Sequence, residues 1–167
     1  MKRLVLLDAD VIIDLHTLGL FESLAKGYDV SVARSVFHEA RYYPYHGKTH
    51  RIDIKDKVTI IDAHDEAEIL KVKREAYEAL LGIDPGETES IAYISSTEKD
   101  ILFCTCDTSA IRLVSYMGLE HKSISMEKAL QGIGKSIKGL SIKHSEKHFQ
   151  ENIKSGKALR IQYKKIR

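Results

Sequence analysis

RLVLLDADVIIDLH (Arg3–His16) joins an apolar run directly to a segment that contains three aspartates. Leu4–Leu7 is continuously apolar, as a strand buried on both faces requires. Apolar residues then recur at helical spacing, so we predict a helix that follows the strand directly. Asp8 and Asp10 lie where the strand ends and the helix begins. Desolvating a carboxylate is costly unless hydrogen bonds or a cation offset the cost, so these acids need a binding partner.

Strands and helices alternate along the rest of the chain. Further strands are predicted at residues 28–33, 57–61 (a short strand or extended segment) and 101–106, and further helices at residues 35–43, 65–81, 84–96, 109–117 and within 125–156. Ser35 is predicted to cap the helix at 35–43, which is expected to stop at Pro44. Residues 43–56 are expected to form a polar connection. This pattern predicts an α/β fold with a mainly parallel sheet covered on both faces.

The size and cysteine content of the chain indicate a single reduced domain. A chain of 167 residues can bury a substantial core without disulfides. Its two cysteines, Cys104 and Cys106, are two residues apart, where a strand points both at the same face without good bridging geometry. We therefore expect free thiols and a cytoplasmic location. We also expect no export signal and no membrane association, since Asp8 and Asp10 interrupt the N-terminal apolar run.

Charge is distributed unevenly along the chain. Residues 141–167 contain eight Lys and Arg against two Glu, so this segment carries +6, and because the whole chain carries +2, residues 1–140 carry −4. We assign residues 1–140 to one domain and residues 141–167 to a basic C-terminal extension, expected to be helical and to pack on or near that domain. A polyanionic partner for the extension and a merely solvated charged end are both compatible with this pattern.

Acidic residues follow several of the predicted strands. Asp8 follows the first strand, and Asp107 follows the strand at 101–106, so both are expected at the carboxyl edge of the sheet, where ligands bind in such folds. Glu39 lies in the helix after the second strand, and a further acid lies in the first turns of the helix that begins near Pro85. Four separate segments therefore offer carboxylates that can converge.

A cluster of carboxylates without cations repels itself and raises its own pKa values. A hard divalent cation relieves this repulsion, and an all-oxygen site suits Mg²⁺ or Mn²⁺. Such cations activate water and stabilise charge on a phosphoryl group during in-line displacement. The acids alone therefore predict metal-dependent phosphoester chemistry.

Four short motifs carry a resemblance to a known family. They are LLDADVIIDL (6–15), SVFHEA (35–40), GETESIAYI (86–94) and TCDTSAIRL (105–113). In this order and approximate spacing the chain resembles a PIN domain from about residue 4 to residue 119. The resemblance implies a three-layer α/β/α fold, an acidic Mg²⁺ or Mn²⁺ site and hydrolysis of RNA. Many such domains are toxins paired with an antitoxin, and others process RNA, so RNA and an antitoxin-like protein are the implied partners.

The resemblance also assigns the metal ligands and catalytic residues. Asp8, Glu39 and Asp107 correspond to acids of the family site, together with one acid of the GETES segment. The family often has Asn or Asp two residues after its first Asp, and Asp10 occupies that position, where it either joins the site or supports it. Asp14, one turn further along, is expected to be a solvated helix residue.

The acid of the GETES segment is Glu87 or Glu89. Two residues along a helix differ by a rotation of about 200°, so these side chains do not face the same way. Glu87 is already explained as the capping-box partner of Asp84, with Pro85 in the first turn. We therefore prefer Glu89 as the metal ligand and keep Glu87 as the less certain alternative.

The connection RYYPYHGKTHR (41–51) interleaves aromatic and basic side chains. Such side chains stack on unpaired bases and contact phosphates, so we expect this segment to border an RNA groove. The Tyr rings could equally pack under the loop or at the interface of a homodimer. The residues assigned to RNA binding are Arg41, Tyr42, Tyr43, Tyr45, Lys48 and Arg51.

Two other functions are compatible with part of the pattern. LLDADV also resembles the Asp-x-Asp motif of haloacid dehalogenase-like phosphatases, but that family has a later acidic pair where Thr108 follows Asp107 in this chain. The second alternative is a catalytically inert PIN-like module that binds RNA or protein. The acids argue against it, since a negative cluster repels a polyanion unless metal is present.

Overall fold

The structure is a computed structural model that describes residues 2–62 and 65–164. Within these residues the strands are β1 (Arg3–Leu7), β2 (Tyr28–Ala33), β3 (Tyr42–Tyr45), β4 (Lys48–Arg51), β5 (Thr59–Ile61), β6 (Ile101–Cys104) and β7 (Ser123–Ile124). The helices there are α1 (Ala9–Thr17), α2 (Phe21–Gly27), α3 (Arg34–Glu39), α4 (Glu66–Glu78), α5 (Pro85–Ser96), α6 (Thr108–Tyr116), α7 (Met126–Gln131) and α8 (Glu146–Lys164).

Five of the strands form a parallel sheet in the order β5-β2-β1-β6-β7. Because successive side chains of a strand point to opposite faces, β1 contributes to two cores. Val5 and Leu7 pack with buried residues of α1, α2 and α7, whereas Leu6 packs with buried residues of α4, α5 and α6. Helices therefore cover both faces of the sheet, which confirms the predicted three-layer α/β/α fold.

The predicted helix at residues 35–43 is wrong in extent, and the polar connection predicted at residues 43–56 contains strands that the sequence did not indicate. α3 ends at Glu39, its N-cap is Ala33, and Ser35 lies inside the helix rather than at its cap. Residues 42–51 instead form an antiparallel hairpin of β3 and β4. His46 and Gly47 at its tip have φ values of 49° and 72°, as a two-residue type I′ turn requires.

The C-terminal helix α8 packs along α6. Ser115 Oγ of α6 donates a hydrogen bond of 2.7 Å to the Ile153 carbonyl of α8. Arg112 Nε donates another, of 2.8 Å, to Asn152 Oδ1. The division between residues 1–140 and 141–167 stays a prediction, and Met1, residues 63–64 and residues 165–167 lie outside the described part of the chain.

Several cations of the C-terminal segment are paired with acids of the preceding chain. These pairs are Lys143 Nζ with Asp14 at 2.6 Å, Lys157 Nζ with Glu120 at 3.2 Å and Lys164 Nζ with Glu75 at 2.8 Å. Asp14 is therefore not the solvated residue expected from the sequence. Because these three lysines are paired with acids of the preceding chain, the segment attracts a polyanion less strongly than its charge of +6 suggests.

The two cysteines are free and buried. Burial raises the pKa of the Cys106 thiol to about 12 and raises that of Cys104 as well, so both thiols are protonated and neither is a nucleophile at neutral pH. Among the described residues, no helix combines the length and apolar character needed to cross a membrane.

Candidate active site

The sheet order reverses direction between β1 and β6. From β1 the chain builds outward through β2 to β5, then returns to the other side of β1 with β6 and β7. Ligands of open α/β sheets bind at this reversal, in the crevice outside the carboxyl ends of the strands. Asp8 follows β1 directly and its backbone N–H donates to the Cys104 carbonyl at the end of β6 (3.1 Å). Asp107 follows β6 three residues later, so both acids lie at the reversal.

Asp8 is the most buried acid of the site, with 4% of its surface exposed. It caps α1: Oδ1 accepts a hydrogen bond of 2.8 Å from Ala9 N, and Oδ2 accepts one of 2.7 Å from the Thr105 hydroxyl. Burial raises the pKa of Asp8 to about 6 despite these hydrogen bonds, and the charges of Asp84 and Asp10 add to the effect. Asp8 is thus a partly protonated carboxyl near neutral pH when no cation is bound.

Thr105 connects the first and last acids of the site. Its hydroxyl donates to Asp8 Oδ2 and accepts a hydrogen bond of 3.1 Å from the backbone N–H of Asp107. Asp107 caps α6, with Oδ1 accepting from Ala110 N at 2.8 Å. Sequence reasoning missed Thr105. Its position between a buried strand and an Asp was a usable signal, since a short polar side chain there can reach both strand ends.

Glu87 belongs to a group of electrostatically interacting acids, named here the acidic cluster, which comprises Asp8, Asp10, Glu39, Asp84, Glu87 and Asp107. As predicted, it forms a capping box with Asp84: Asp84 N donates to Glu87 Oε2 at 3.0 Å, and Glu87 N donates to Asp84 Oδ1 at 2.7 Å. Burial raises the pKa of Glu87 to about 8, and the charges of Asp107, Asp8 and Asp84 raise it further. The capping role therefore does not remove Glu87 from the site, because its side chain stays within the electrostatic reach of both strand-end aspartates.

Glu89 turns away from these acids toward α3. Its carboxylate accepts hydrogen bonds from the Ser35 backbone N–H (3.0 Å) and from the Ser35 hydroxyl. The structure therefore favours Glu87 over Glu89 as the acid that α5 adds to the cluster, opposite to the preference drawn from the sequence. The physical reason is that a capping-box Glu uses only one oxygen for its backbone partner, whereas Ser35 engages both oxygens of Glu89.

Glu39 reaches the cluster from the end of α3. Burial raises the pKa of Glu39, and the charges of Asp84 and Asp10 add to this shift. A close approach of α5 to α3 makes this possible: a Cβ on Gly86 would lie 2.8 Å from a methyl group of Val36. Asp84, which sequence reasoning treated only as a cap, thereby becomes a member of the acidic cluster.

The donor chemistry of these acids fits Mg²⁺ or Mn²⁺. All of the donors are carboxylates. Burial is the main cause of the raised pKa values of Asp8 and Glu87 and neighbouring acids add to it, and a hard cation favours the ionised form of such carboxylates. However, no group of three or more His, Cys, Asp or Glu side chains within residues 2–62 and 65–164 is arranged to hold a metal ion. Asp8 and Asp107 instead act as helix N-caps, and each accepts a hydrogen bond from a backbone N–H of the helix that follows it.

The hairpin separates the residues assigned to RNA binding into two groups. Tyr43 stacks on His50 with ring centroids 5.4 Å apart, and Tyr45 meets the same ring edge-on at 6.0 Å. Tyr42 and Arg51 pair across the strands and point to the opposite face, because residues adjacent in a strand alternate. The Tyr rings thus do not form one continuous stacking surface.

Comparison with known proteins adds no assignment. A scan against protein-family models found no match to the chain, and a search of curated proteins found none either. The resemblance to PIN domains therefore stays a prediction from the four sequence motifs.

Proposed function

We propose that this protein is a Mg²⁺- or Mn²⁺-dependent endoribonuclease of the PIN type, which hydrolyses RNA phosphodiester bonds with water as the nucleophile. The observation that carries the proposal is the convergence of carboxylates from separate segments at the reversal of the sheet. Burial raises the pKa of Asp8 to about 6 and that of Glu87 to about 8, and the charges of neighbouring acids add to both shifts. Gathering buried carboxylates in this way is costly unless hydrogen bonds or a cation offset their desolvation.

In this proposal Asp8, Asp107, Glu87 and Glu39 would hold the metal, and Asp10 and Asp84 add negative charge around it. When bound, a divalent cation supplies Lewis acidity toward the phosphoryl group and activates water. Thr105 positions two of the donors. Its hydroxyl donates a hydrogen bond to one oxygen of Asp8 and accepts one from the backbone N–H of Asp107. No side-chain nucleophile is needed, which agrees with the protonated state of the buried thiols.

RNA is the proposed substrate and the cytoplasm the proposed location, since free buried thiols suit a reducing compartment. An antitoxin-like partner and a homodimer remain predictions of the family resemblance.

An inert RNA-binding module is the second candidate, because one finding favours it. The described residues contain no ready group of three metal donors, and the carboxylates of Asp8, Asp107 and Glu87 already accept hydrogen bonds from backbone N–H groups. A module that has lost metal binding would show this arrangement permanently, whereas an enzyme would release the carboxylates from their caps when a cation binds.

The discriminating experiment compares two Asp→Asn variants on either side of β6. Asp107 follows the carboxyl end of β6, and the exposed Asp100 precedes its amino end, at the opposite edge of the sheet. We expect the wild type to bind Mn²⁺ by calorimetry and to cleave a labelled single-stranded RNA only with metal. Asp107→Asn should lose about 100-fold or more of this activity, whereas Asp100→Asn should retain it.

Absence of Mn²⁺ binding and of cleavage in the wild type would favour the inert module. Equal losses in both variants would contradict the assigned site. Release of phosphate from phosphomonoesters without RNA cleavage would favour the phosphatase alternative.

A further inference from the structure

A groove of about 500 Å³ lies between the end of α3 and the base of the hairpin. This volume is in the range of about 300–1,000 Å³ typical of small-ligand sites. Its floor includes the buried apolar residues Ala40, Ile52 and Ile54. Its walls carry the exposed Tyr42 and several basic side chains, so the groove combines an apolar floor with a positive rim.

The charge of this groove is not neutralised by neighbouring acids. Arg41, Arg51 and Lys55 line it together with a single acid, Asp53. In the described part of the chain none of these three cations forms an ion pair or a side-chain hydrogen bond, in contrast to the paired lysines of the C-terminal segment. Exposed cations that remain unpaired around a concave surface are available to an anionic ligand.

The groove begins where the acidic cluster ends. The Arg41 backbone N–H donates to the Glu39 carbonyl (2.8 Å), and the Ile52 N–H donates to the Arg41 carbonyl (2.8 Å), so the base of the hairpin is fastened to the end of α3. The residues on either side of Glu39, His38 and Ala40, line the groove. Burial raises the pKa of the Glu39 carboxyl, and the charges of Asp84 and Asp10 in the acidic cluster raise it further.

Tyr42 indicates what kind of anion fits. Its side chain is 56% exposed on the groove wall, beside Arg51 on the neighbouring strand. An exposed aromatic ring next to cations is the arrangement that stacks a base and holds its phosphate. The bases of a duplex are already stacked on each other, so the ring can serve only an unpaired nucleotide.

We propose that this groove is a subsite for one unpaired nucleotide of a single-stranded RNA, with Tyr42 stacking on the base and Arg41, Arg51 and Lys55 contacting phosphates. The assignment of this subsite to a position beside the scissile bond rests on the proposed function. The binding of RNA in the groove requires no metal. The two assignments can therefore be tested separately.

The first test measures RNA binding in EDTA with the full chain carrying Asp107→Asn. The probes are a fluorescent single-stranded oligoribonucleotide, the duplex of the same sequence and a single strand with abasic positions, followed by anisotropy. Arg51→Glu should weaken binding of the intact single strand at least tenfold. The matched variant Arg3→Glu, an exposed arginine at the amino end of β1 on the opposite sheet edge, should change it less than threefold.

The second test isolates stacking. Tyr42→Ala should weaken binding of the intact single strand at least about fivefold and leave the abasic strand unaffected. Tyr77→Ala removes an even more exposed ring (81%) on α4 and is the matched control. Melting curves of all variants verify that each is folded.

The proposal is overturned if Arg51→Glu and Arg3→Glu weaken binding equally, or if the duplex binds as tightly as the single strand. It is also overturned if an acidic peptide binds the groove and the RNA does not. Single-strand binding with the expected variant pattern supports the subsite even if no RNA is cleaved. Metal-dependent cleavage with unchanged binding in Arg51→Glu removes the subsite and leaves the nuclease.

Discussion

The imidazole of His144 donates a hydrogen bond of 2.7 Å from Nε2 to the Asp14 carboxylate, which joins the C-terminal segment to the helix that begins beside Asp8. His144 is 2% exposed, and its Nδ1 is buried without a hydrogen-bond partner among the described residues. A neutral ring with the proton on Nε2 fits this environment, because a second N–H at Nδ1 would be desolvated without an acceptor. Lys143 binds the same carboxylate and completes the junction.

Removing Asp14 should destabilise the whole fold. Asp14→Ala leaves the His144 Nε2–H buried without an acceptor and Lys143 without its counter-ion, and such a loss costs about 1–3 kcal/mol. We expect the melting temperature to fall by several degrees. Asp100→Ala, which removes an exposed acid without a hydrogen-bonded side-chain partner in the described chain, is the control. Equal melting temperatures for the two variants would show that the junction does not stabilise the protein.

The same junction predicts loss of stability in mild acid. Burial lowers the pKa of His144, although Asp14 opposes the shift. In the unfolded chain a His has a pKa of about 6.5, so in mild acid the unfolded chain binds more protons than the folded protein. The stabilising effect of His144 is therefore complete above about pH 6.5 and is lost as the pH falls below that value. The melting temperature should fall from pH 7.5 to pH 5.

The control for this pH dependence is His144→Gln, which keeps a donor for Asp14 but cannot titrate. Its melting temperature should fall less over the same range. A parallel fall in the two proteins would assign the acid sensitivity to other groups. Asp14 does not cause pH dependence in this range. Burial opposes the shift, but hydrogen bonds from Lys143 and His144 lower the pKa of Asp14, so its stabilising effect is present above about pH 4 and is lost below it.

The fold was largely predictable because it depends on local patterns. The run Leu4–Leu7 followed by helical periodicity, and the Asp84–Glu87 capping box, each specify their element without distant partners. The hairpin was not predictable in this way, because Tyr42–Tyr45 is a strand only where it can pair with Lys48–Arg51 and pack against α1.

The site was predictable only in part. Asp8 and Asp107 could be predicted because each lies just after a strand, and the carboxyl ends of parallel strands lie at one edge of the sheet. The choice between Glu87 and Glu89 depended instead on α3, since Ser35 captures Glu89 across a tertiary contact that no spacing within α5 reveals. The burial of His144 likewise depends on a tertiary contact, because its ring is buried only where the C-terminal segment packs beside Asp14 of α1.

Glu87 offers a test of the cost of holding an ionised carboxylate buried beside other acids. Its pKa of about 8 lies well above that of an unfolded Glu, about 4.3, so in metal-free protein its stabilising effect is complete below pH 4.3 and is lost as the pH rises through 8. Glu87→Gln keeps the acceptor for Asp84 N and carries no charge. In EDTA this variant should therefore melt higher than the wild type at pH 9, and the difference should shrink toward pH 6.

The matched control is Glu89→Gln, which changes the same chemical group two residues away at the contact with Ser35. It should show no gain in melting temperature at pH 9. A gain in this variant, and none in Glu87→Gln, would restore Glu89 as the acid of the cluster.

Metal binding should become tighter as the pH rises. Asp8 and Glu87 have pKa values of about 6 and about 8 in the metal-free protein, and each must lose its proton before it can coordinate a cation. Calorimetric titration with Mn²⁺ should therefore give a Kd that falls between pH 6 and pH 8.5, by up to about tenfold per pH unit for each proton released. Titrations in buffers of different ionisation enthalpy count these protons directly. In Glu87→Gln the pH dependence above pH 7 should disappear along with part of the affinity, and a wild-type Kd that is constant over this range would show that these two carboxyls do not bind the metal.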